Sequence, residues 1–340
     1  MNRPGSVQNT FGEVLLPTVD AINQEYKRYM EQIESVKDYL RQCDLKFQPE
    51  EAKKKRFMVL TMTPYCKQSW NELVPAEFSV AVFSVDQGII KGLVGFIEPK
   101  IPFGERGEVT LNCERSALPF PGNFEELGVH SIPRSEVLSR IEDVADRYGC
   151  LMDEEILIFA MKAEIAVITN CIRWLEKNCP TGKWRKYRIV SFEMLLMALS
   201  QLAENAEENV AVIRHEGGAG RFLYQNRYEY NLQLGCAWHR RGENVSKIPS
   251  CAFNITLRRV YNALFYLCRL YGTDLKPKTH RPATEETEVV NQRMKRVVIT
   301  EKPNSGKRQE KFTVKTRGVS TITKYRAANP VAGGLFSKKR

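Results

Sequence analysis

The sequence has no apolar run of the length that crosses a membrane, since a spanning helix needs about 18 or more apolar residues. Its N-terminus lacks the basic and then apolar order of a secretory signal peptide. Its nine cysteines are scattered through apolar stretches and do not form the dense framework of a small secreted domain. We therefore expect a protein of a reducing compartment, cytosol or nucleus, with a core of one large domain or two small ones.

Acidic residues are scarce in the last fifth of the chain. Residues 273–340 contain 17 Lys and Arg but only 6 Asp and Glu, a difference of +11 that equals the net charge of the whole chain. This tail shows no periodic apolar face, which is typical of a disordered segment. Such a tail can attach to phosphate backbones, serve as a nuclear-import signal, or simply keep the protein soluble. The neutral remainder of the chain favours nucleic acid, because it does not need such an excess for solubility.

Before the core, apolar residues recur at spacings of three and four from Thr18 to Arg41, which predicts an amphipathic helix. The charged run Glu50–Arg56 is interpreted as a hinge with a solvated face, since it is short for a basic nucleic-acid arm.

The core begins with antiparallel strands and continues with alternating strands and helices. Strands are predicted at 57–62, 78–83 and 92–97, followed by a long loop region rich in Pro and Gly. Helices are then predicted at 135–148, 163–177, 194–203 and 254–271, and strands at 155–160 and 188–191. This order predicts an α/β fold with an RNase H-like mixed sheet that is flanked by helices.

One segment is rich in soft metal ligands. Cys236 and His239 lie three residues apart, and Cys251 follows after eleven intervening residues. Thiolate and imidazole are ligands that Zn²⁺ prefers, and the ion takes four of them in a tetrahedron. The spacing predicts a zinc site that is completed from elsewhere in the fold or left with an open position. Chance proximity among nine cysteines and four histidines is the alternative.

A second segment combines cations and aromatic rings just before a predicted strand. It contains Lys183, Trp184, Arg185, Lys186 and Arg188, together with Tyr187. Cations can engage phosphate and aromatic rings can stack on unpaired bases, so the segment is a candidate RNA-binding site. The alternative is a basic loop whose aromatic rings pack against the sheet.

Several of these stretches resemble the Maelstrom domain over residues 55–272. The resemblance rests on the runs 74–78, 83–89 and 96–99, and on the segment Cys236-Ala-Trp-His239 with Cys251 and its following helix. That family carries a Glu-Cys-His-Cys set, and the matching residues here are Glu77, Cys236, His239 and Cys251. The resemblance therefore implies that Glu77 is the fourth ligand of a structural Zn²⁺, in a clamp added to an RNase H-like (DEDD exonuclease-like) fold.

The resemblance also implies a role in the piRNA pathway, in germline transposon silencing. It implies single-stranded RNA and other piRNA-pathway proteins as partners. The expected location is the cytoplasm, in perinuclear germ granules (nuage), and the nucleus. DNA is a weakly supported partner, because the first 56 residues show one convincing helix and not the three of an HMG box. No membrane partner is expected.

Whether the protein is an enzyme stays open. Two-metal cleavage needs several convergent carboxylates. The Asp-x-Glu pair of the first strand is missing, because Pro75 stands two residues before Glu77. The main hypothesis is a zinc-stabilised RNA-binding scaffold. The alternative is a single-stranded-RNA-specific endoribonuclease with a different mechanism. His215 is a candidate base for it, but a plain loop histidine is the favoured interpretation, so no catalytic residue is assigned.

These features predict three regions. Residues 1–56 form an N-terminal helix and charged hinge, residues 57–272 form the Maelstrom domain, and residues 273–340 form the basic tail.

Overall fold

The computed structural model describes residues 7–8, 14–15, 19–41, 49–69, 72–179, 184–203, 211–283, 311–314 and 322–325. Contacts divide the chain into two units, Met1–Thr284 and Glu285–Arg340. The second unit contains strands β10 (Lys311–Val314) and β11 (Ile322–Tyr325), which pair antiparallel. The rest of the predicted basic tail beyond residue 283 lies outside the described residues, as do Thr18, the predicted start of the first helix, and the candidate RNA ligand Lys183.

The first unit contains a small two-stranded sheet and one principal sheet. Strands β1 (Val7–Gln8) and β2 (Val14–Leu15) form the small sheet. The principal sheet contains β3 (Phe57–Ser69), β4 (Glu72–Ser84), β5 (Gly88–Glu98), β6 (Ser131–Pro133), β7 (Leu151–Met152), β8 (Glu155–Ala160) and β9 (Tyr187–Ser191). The helices of this unit are α1 (Val19–Arg41), α2 (Pro49–Lys54), α3 (Arg106–Ser116), α4 (Arg134–Tyr148), α5 (Ile165–Asn178), α6 (Phe192–Leu202), α7 (Glu216–Leu223) and α8 (Ala252–Leu270). Short 3₁₀ helices occupy Lys162–Glu164, Leu232–Leu234 and Gly242–Ser250.

The principal sheet mixes parallel and antiparallel pairs. Its strands lie in the order β6-β5-β4-β3-β8-β7, and β9 also pairs with β8. Strands β3, β4 and β5 form an antiparallel meander, whereas β8 runs parallel to both β3 and β9. The sequence prediction of a mixed α/β sheet flanked by helices is confirmed.

The core lies on both faces of this sheet, because apolar residues occupy both sets of alternate positions on the central strands. On β3, Phe57 and Val59 pack with α1, α6 and α8, whereas Met58 and Leu60 pack with α3, α4 and α5. A similar division occurs on β8 between Phe159 and Ile158. The sheet is therefore buried between two helical layers, and its long strands can hold side chains at fixed positions.

Two local predictions are corrected. The stretch expected to be a long loop contains α3. This helix buries only Val109 and Cys113, so its sequence needs few apolar residues and shows little apolar periodicity. The charged run at 50–56 is not a free hinge, since residues 49–54 form α2 and its Ala52 is fully buried. Helix α1 is confirmed over Val19–Arg41.

The folded chain continues past residue 272. His280 is 1% exposed and donates from Nε2 to the Val85 carbonyl oxygen at 3.1 Å, and Ile89 donates its backbone N–H to Thr279. The division into regions 1–56, 57–272 and 273–340 stays a prediction. None of the described helices is long and apolar enough to span a membrane.

Candidate metal centre

The structure brings the four predicted metal ligands together. The donor atoms of Glu77, Cys236, His239 and Cys251 all lie within 4.8 Å of one another. Glu77, His239 and Cys251 have no exposed surface, and Cys236 keeps 5%. Because isolated ionisable groups are costly to bury, four of them in one buried cluster indicate a shared partner.

Strand β4 supplies the carboxylate from the middle of the sheet. Glu77 pairs with Thr63 on β3 and with Phe96 on β5, so ladders on both sides fix its backbone. Its Oε2 accepts the backbone N–H of Ala252 at 2.8 Å, and its Oε1 accepts the Cys251 thiol at 3.3 Å. The carboxylate therefore joins the sheet to the first residue of α8.

A tight turn and a helix start supply the other three donors. The backbone N–H of Arg240 reaches the Cys236 carbonyl at 3.1 Å, which folds the segment so that Cys236 Sγ lies 3.1 Å from His239 Nδ1. Cys251 stands at the N-cap of α8 with an extended backbone, and its Sγ lies 3.4 Å from the Cys236 backbone nitrogen. Local hydrogen bonds thus position each sulfur.

A contact with the end of α3 sets the orientation of the histidine. His239 Nε2 lies 2.8 Å from the Ser116 carbonyl oxygen, and the neighbouring Trp238 Nε1 donates to Ala117 at 2.6 Å. A carbonyl can only accept, so Nε2 carries the proton. In a neutral ring, Nδ1 then presents its lone pair to the cluster, as a metal-binding histidine requires.

The donor set fits zinc. Tetrahedral bonds of about 2.0–2.3 Å place neighbouring donors about 3.3–3.8 Å apart. Cys251–Glu77 at 3.3 Å and His239–Glu77 at 3.8 Å match this range, and Cys236–His239 at 3.1 Å lies just below it. Two sulfurs, one nitrogen and one oxygen suit this ion and leave no position for water.

The ionisable groups of the cluster perturb one another strongly. Burial raises the pKa of Glu77 to about 7. A hydrogen bond with Cys251 lowers the pKa of Cys236, whereas burial raises that of Cys251. Burial disfavours a charged His239, but its hydrogen bond with Cys236 and the charge of Glu77 together raise its pKa. Cys236 is therefore the thiol that gives up its proton most readily.

The candidate RNA-binding segment is less open than its composition suggests. Trp184 is partly buried against the core, and its Nε1 donates to the Cys179 carbonyl at 3.2 Å. Arg185 forms an ion pair with Asp146, and Arg188 Nε pairs with Glu155 at 2.7 Å. The side chain of Lys186 is exposed. The segment remains a candidate, but its tryptophan is placed for packing.

Sequence reasoning missed a second group of buried charges. Arg259 on α8 is 6% exposed and donates to Glu164 at 2.6 Å, and the nearby carboxyl group of Glu193 is also buried. Glu193 accepts the backbone N–H of Lys162 at 3.0 Å, and burial raises its pKa. No spacing connects these residues, because they come from three separate elements.

The sequence itself matches a known family. The family model for Maelstrom, described as a piRNA pathway germ-plasm component, matches residues 68–287, which is more than half of the chain. This chain belongs to the Maelstrom family. The predicted resemblance is thereby confirmed, and the match contains all four residues of the metal cluster.

Individual relatives agree. Over 221 residues, Protein maelstrom 1 of Drosophila ananassae is 22% identical, covering 62% of this chain and 49% of the relative. Over 239 residues, Protein maelstrom of Drosophila yakuba is 23% identical, covering 67% of this chain and 48% of the relative. The chain thus spans about half the length of the Maelstrom relatives that it matches.

Proposed function

We propose that this Maelstrom family member is an RNA-binding scaffold of the piRNA pathway, stabilised by a structural Zn²⁺ held by Glu77, Cys236, His239 and Cys251. Its role is germline transposon silencing, together with other proteins of the pathway, in cytoplasmic germ granules and the nucleus. The family description as a germ-plasm component of this pathway supports the setting.

The observation that carries the structural role is the completeness of the donor set. Four buried protein donors converge within 4.8 Å, and they come from β4, from the turn at 236–239 and from the start of α8. A zinc ion with four protein ligands has no site for an activated water. Its chemistry here is to neutralise thiolate and carboxylate charge, and the residues that hold it tie three distant segments together.

The strand arrangement supports an RNase H-like fold. Its central order β5-β4-β3-β8-β9 places an antiparallel meander beside parallel β8 and β9. The first strand of this sheet is β3, whereas Glu77 lies on the second, so Pro75 and Glu77 do not mark the position of first-strand catalytic acids. Strand β3 contains no carboxylate from Phe57 to Ser69. This absence argues against two-metal cleavage.

The ribonuclease alternative finds less support. His215 caps α7, with Nδ1 accepting the Gly218 backbone N–H at 3.0 Å. His280 is buried and bonded to a backbone carbonyl, and His239 belongs to the metal cluster. Three of the four imidazoles are thus engaged in structural contacts, and the fourth, His130, is exposed. An RNA-binding role is therefore the better-supported function.

The test is binding of the full chain to a labelled single-stranded RNA across a salt series. Binding should weaken with salt, because phosphate contacts release counterions. At each salt concentration, neutralising Arg185 and Lys186 should lower the affinity for RNA below that of wild-type. Neutralising Lys91 and Lys100, which lie on or near β5, should not change it. Absence of RNA binding at low salt would refute this function. EDTA-resistant RNA cleavage that co-purifies with the protein and is lost on a point substitution would instead favour the ribonuclease.

A further inference from the structure

Two basic segments, far apart in sequence, reach the same edge of the sheet. Residues 53–56 directly precede β3, and residues 184–186 directly precede β9. Strands β3, β8 and β9 run parallel, so all three begin at one edge, which we call the amino edge. The acidic turn before β8 lies between the two segments. The sheet topology therefore places residues 53–56, which by sequence alone are interpreted as part of a solvated face, at the same edge as the candidate RNA-binding segment.

The last turn of α4 connects the two segments. Arg185 pairs with Asp146, and its backbone N–H donates to Glu142 at 3.1 Å. At the helix end, the guanidinium carbon of Arg56 lies 6.0 Å from the centre of the Tyr148 ring. Both segments thus contact the C-terminal part of the same helix, Arg185 through Glu142 and Asp146 and Arg56 through Tyr148.

A cavity of about 270 Å³ opens beside Arg56 and Tyr148. Its lining consists of Glu51, Lys54, Lys55, Arg56, Tyr148 and Gly149, so three basic residues and one acidic residue surround it. Lys54 is held only loosely, because its ammonium lies 3.5 Å from Glu51 and its side chain is 66% exposed. Gly149 has a left-handed backbone, and a Cβ atom added there would meet no other part of the chain within 4 Å, so the rim is open.

The lining matches the chemistry of single-stranded nucleic acid. Such sites combine cations that follow the phosphate backbone with aromatic rings on which bases stack, largely without reading sequence. Trp184 packs against the core, and Tyr148, which is half-buried, provides an aromatic ring in the lining beside the cations. The cavity approaches the size of a small ligand pocket, which begins at about 300 Å³.

We propose that the amino-edge cavity binds one nucleotide of a single-stranded RNA, with Lys54 and Arg56 on the phosphate and Tyr148 on the base. The strand then continues toward Arg185 and Lys186. This inference rests on the proposed RNA-binding function and assigns it residues that the sequence pattern had set aside.

The experiment measures fluorescence anisotropy of a labelled single-stranded RNA with the full chain over a salt series. The double variant Lys54→Gln/Arg56→Gln should weaken binding and lower the salt slope by about 0.7, because the two cations neutralise one phosphate and each neutralised phosphate of a single strand contributes about 0.7. Tyr148→Leu should weaken binding about fivefold or more without changing the salt slope, since it removes stacking only. The matched control Lys91→Gln/Lys100→Gln removes the same charge elsewhere and should leave both values unchanged.

The basic tail is the same in every variant, so its contribution cancels in each comparison. Thermal melting of each variant separates loss of binding from loss of folding. If wild-type binds RNA and the Lys54, Arg56 and Tyr148 variants match the control, the cavity is refuted while the proposed function stands. If wild-type does not bind RNA at all, the proposed function itself fails. Equal competition by phosphatidylserine vesicles would mark a general anion surface and also overturn the nucleotide site.

Discussion

The substitution Glu77→Gln tests the clamp most sharply, because it keeps the shape of a fully buried side chain while removing its charge. The amide oxygen can still accept the Ala252 N–H, which the carboxylate now accepts at 2.8 Å. A neutral amide is a much poorer zinc ligand than a carboxylate. We therefore expect the variant to fold but to hold zinc less tightly.

The expected magnitude follows from linkage. Changes around a metal typically cost 10–100-fold in affinity, and loss of a direct ligand belongs at the upper end. A 100-fold loss removes about 2.7 kcal/mol of stabilisation when zinc exceeds its dissociation constant. For a domain of this size, about 2–4 °C is lost per kcal/mol, so the melting temperature should fall by roughly 5–11 °C.

The assay compares melting of wild-type and Glu77→Gln in excess zinc and after chelation. After chelation, the difference in melting temperature between wild-type and variant should largely disappear, because the interaction that the variant lacks is with the ion. An equal difference in melting temperature with zinc and after chelation would refute this reasoning, because Glu77 would then stabilise the fold through hydrogen bonds only. It would also be refuted if chelation left the wild-type melting temperature unchanged.

Substitutions at three further positions test contacts that stabilise the fold outside the metal cluster. Glu164→Gln leaves the guanidinium of Arg259 without its anionic partner and should lower the free energy of unfolding in urea by about 2 kcal/mol. This cost is below the usual one for a buried pair, because the Glu164 side chain is 27% exposed. An unchanged free energy of unfolding would show that the pair is not stabilising. Gly88→Ala should cost more than about 2 kcal/mol, since the backbone φ is +71° and the new Cβ would lie 2.5 Å from the Thr279 carbonyl oxygen; a wild-type melting temperature would contradict this. His215→Asn should keep the α7 cap and the stability, whereas His215→Ala should lose about 1 kcal/mol; equal losses would show that the cap does not contribute.

Periodic and locally bonded features were predictable from the sequence. Helix α1 has an apolar stripe with helical spacing, and Cys236 and His239 belong to a single turn, so short-range spacing indicates both features. Helix α3 was not predictable, because two buried residues in eleven produce no periodic signal. Local spacing could not identify Glu77 either, since only strand pairing places it against the start of α8. It was found through the family resemblance.

Composition also could not decide which cations are available. The segment at 184–188 contains aromatic rings and cations, yet Trp184 packs inward and Arg185 and Arg188 are paired with carboxylates. The run at 53–56 has the composition of an ordinary solvated face, and only the parallel strands place it beside Tyr148. Tertiary contacts, which a single sequence does not reveal, determine both outcomes.

X-ray absorption spectroscopy of the purified full chain, combined with its metal content, tests the central claim most directly. We expect one zinc per chain, with two sulfur neighbours at about 2.3 Å and two nitrogen or oxygen neighbours at about 2.0 Å. Cys236→Ser should abolish this signal. A well-folded wild-type chain without zinc, or a zinc signal unchanged by Cys236→Ser, would contradict the clamp.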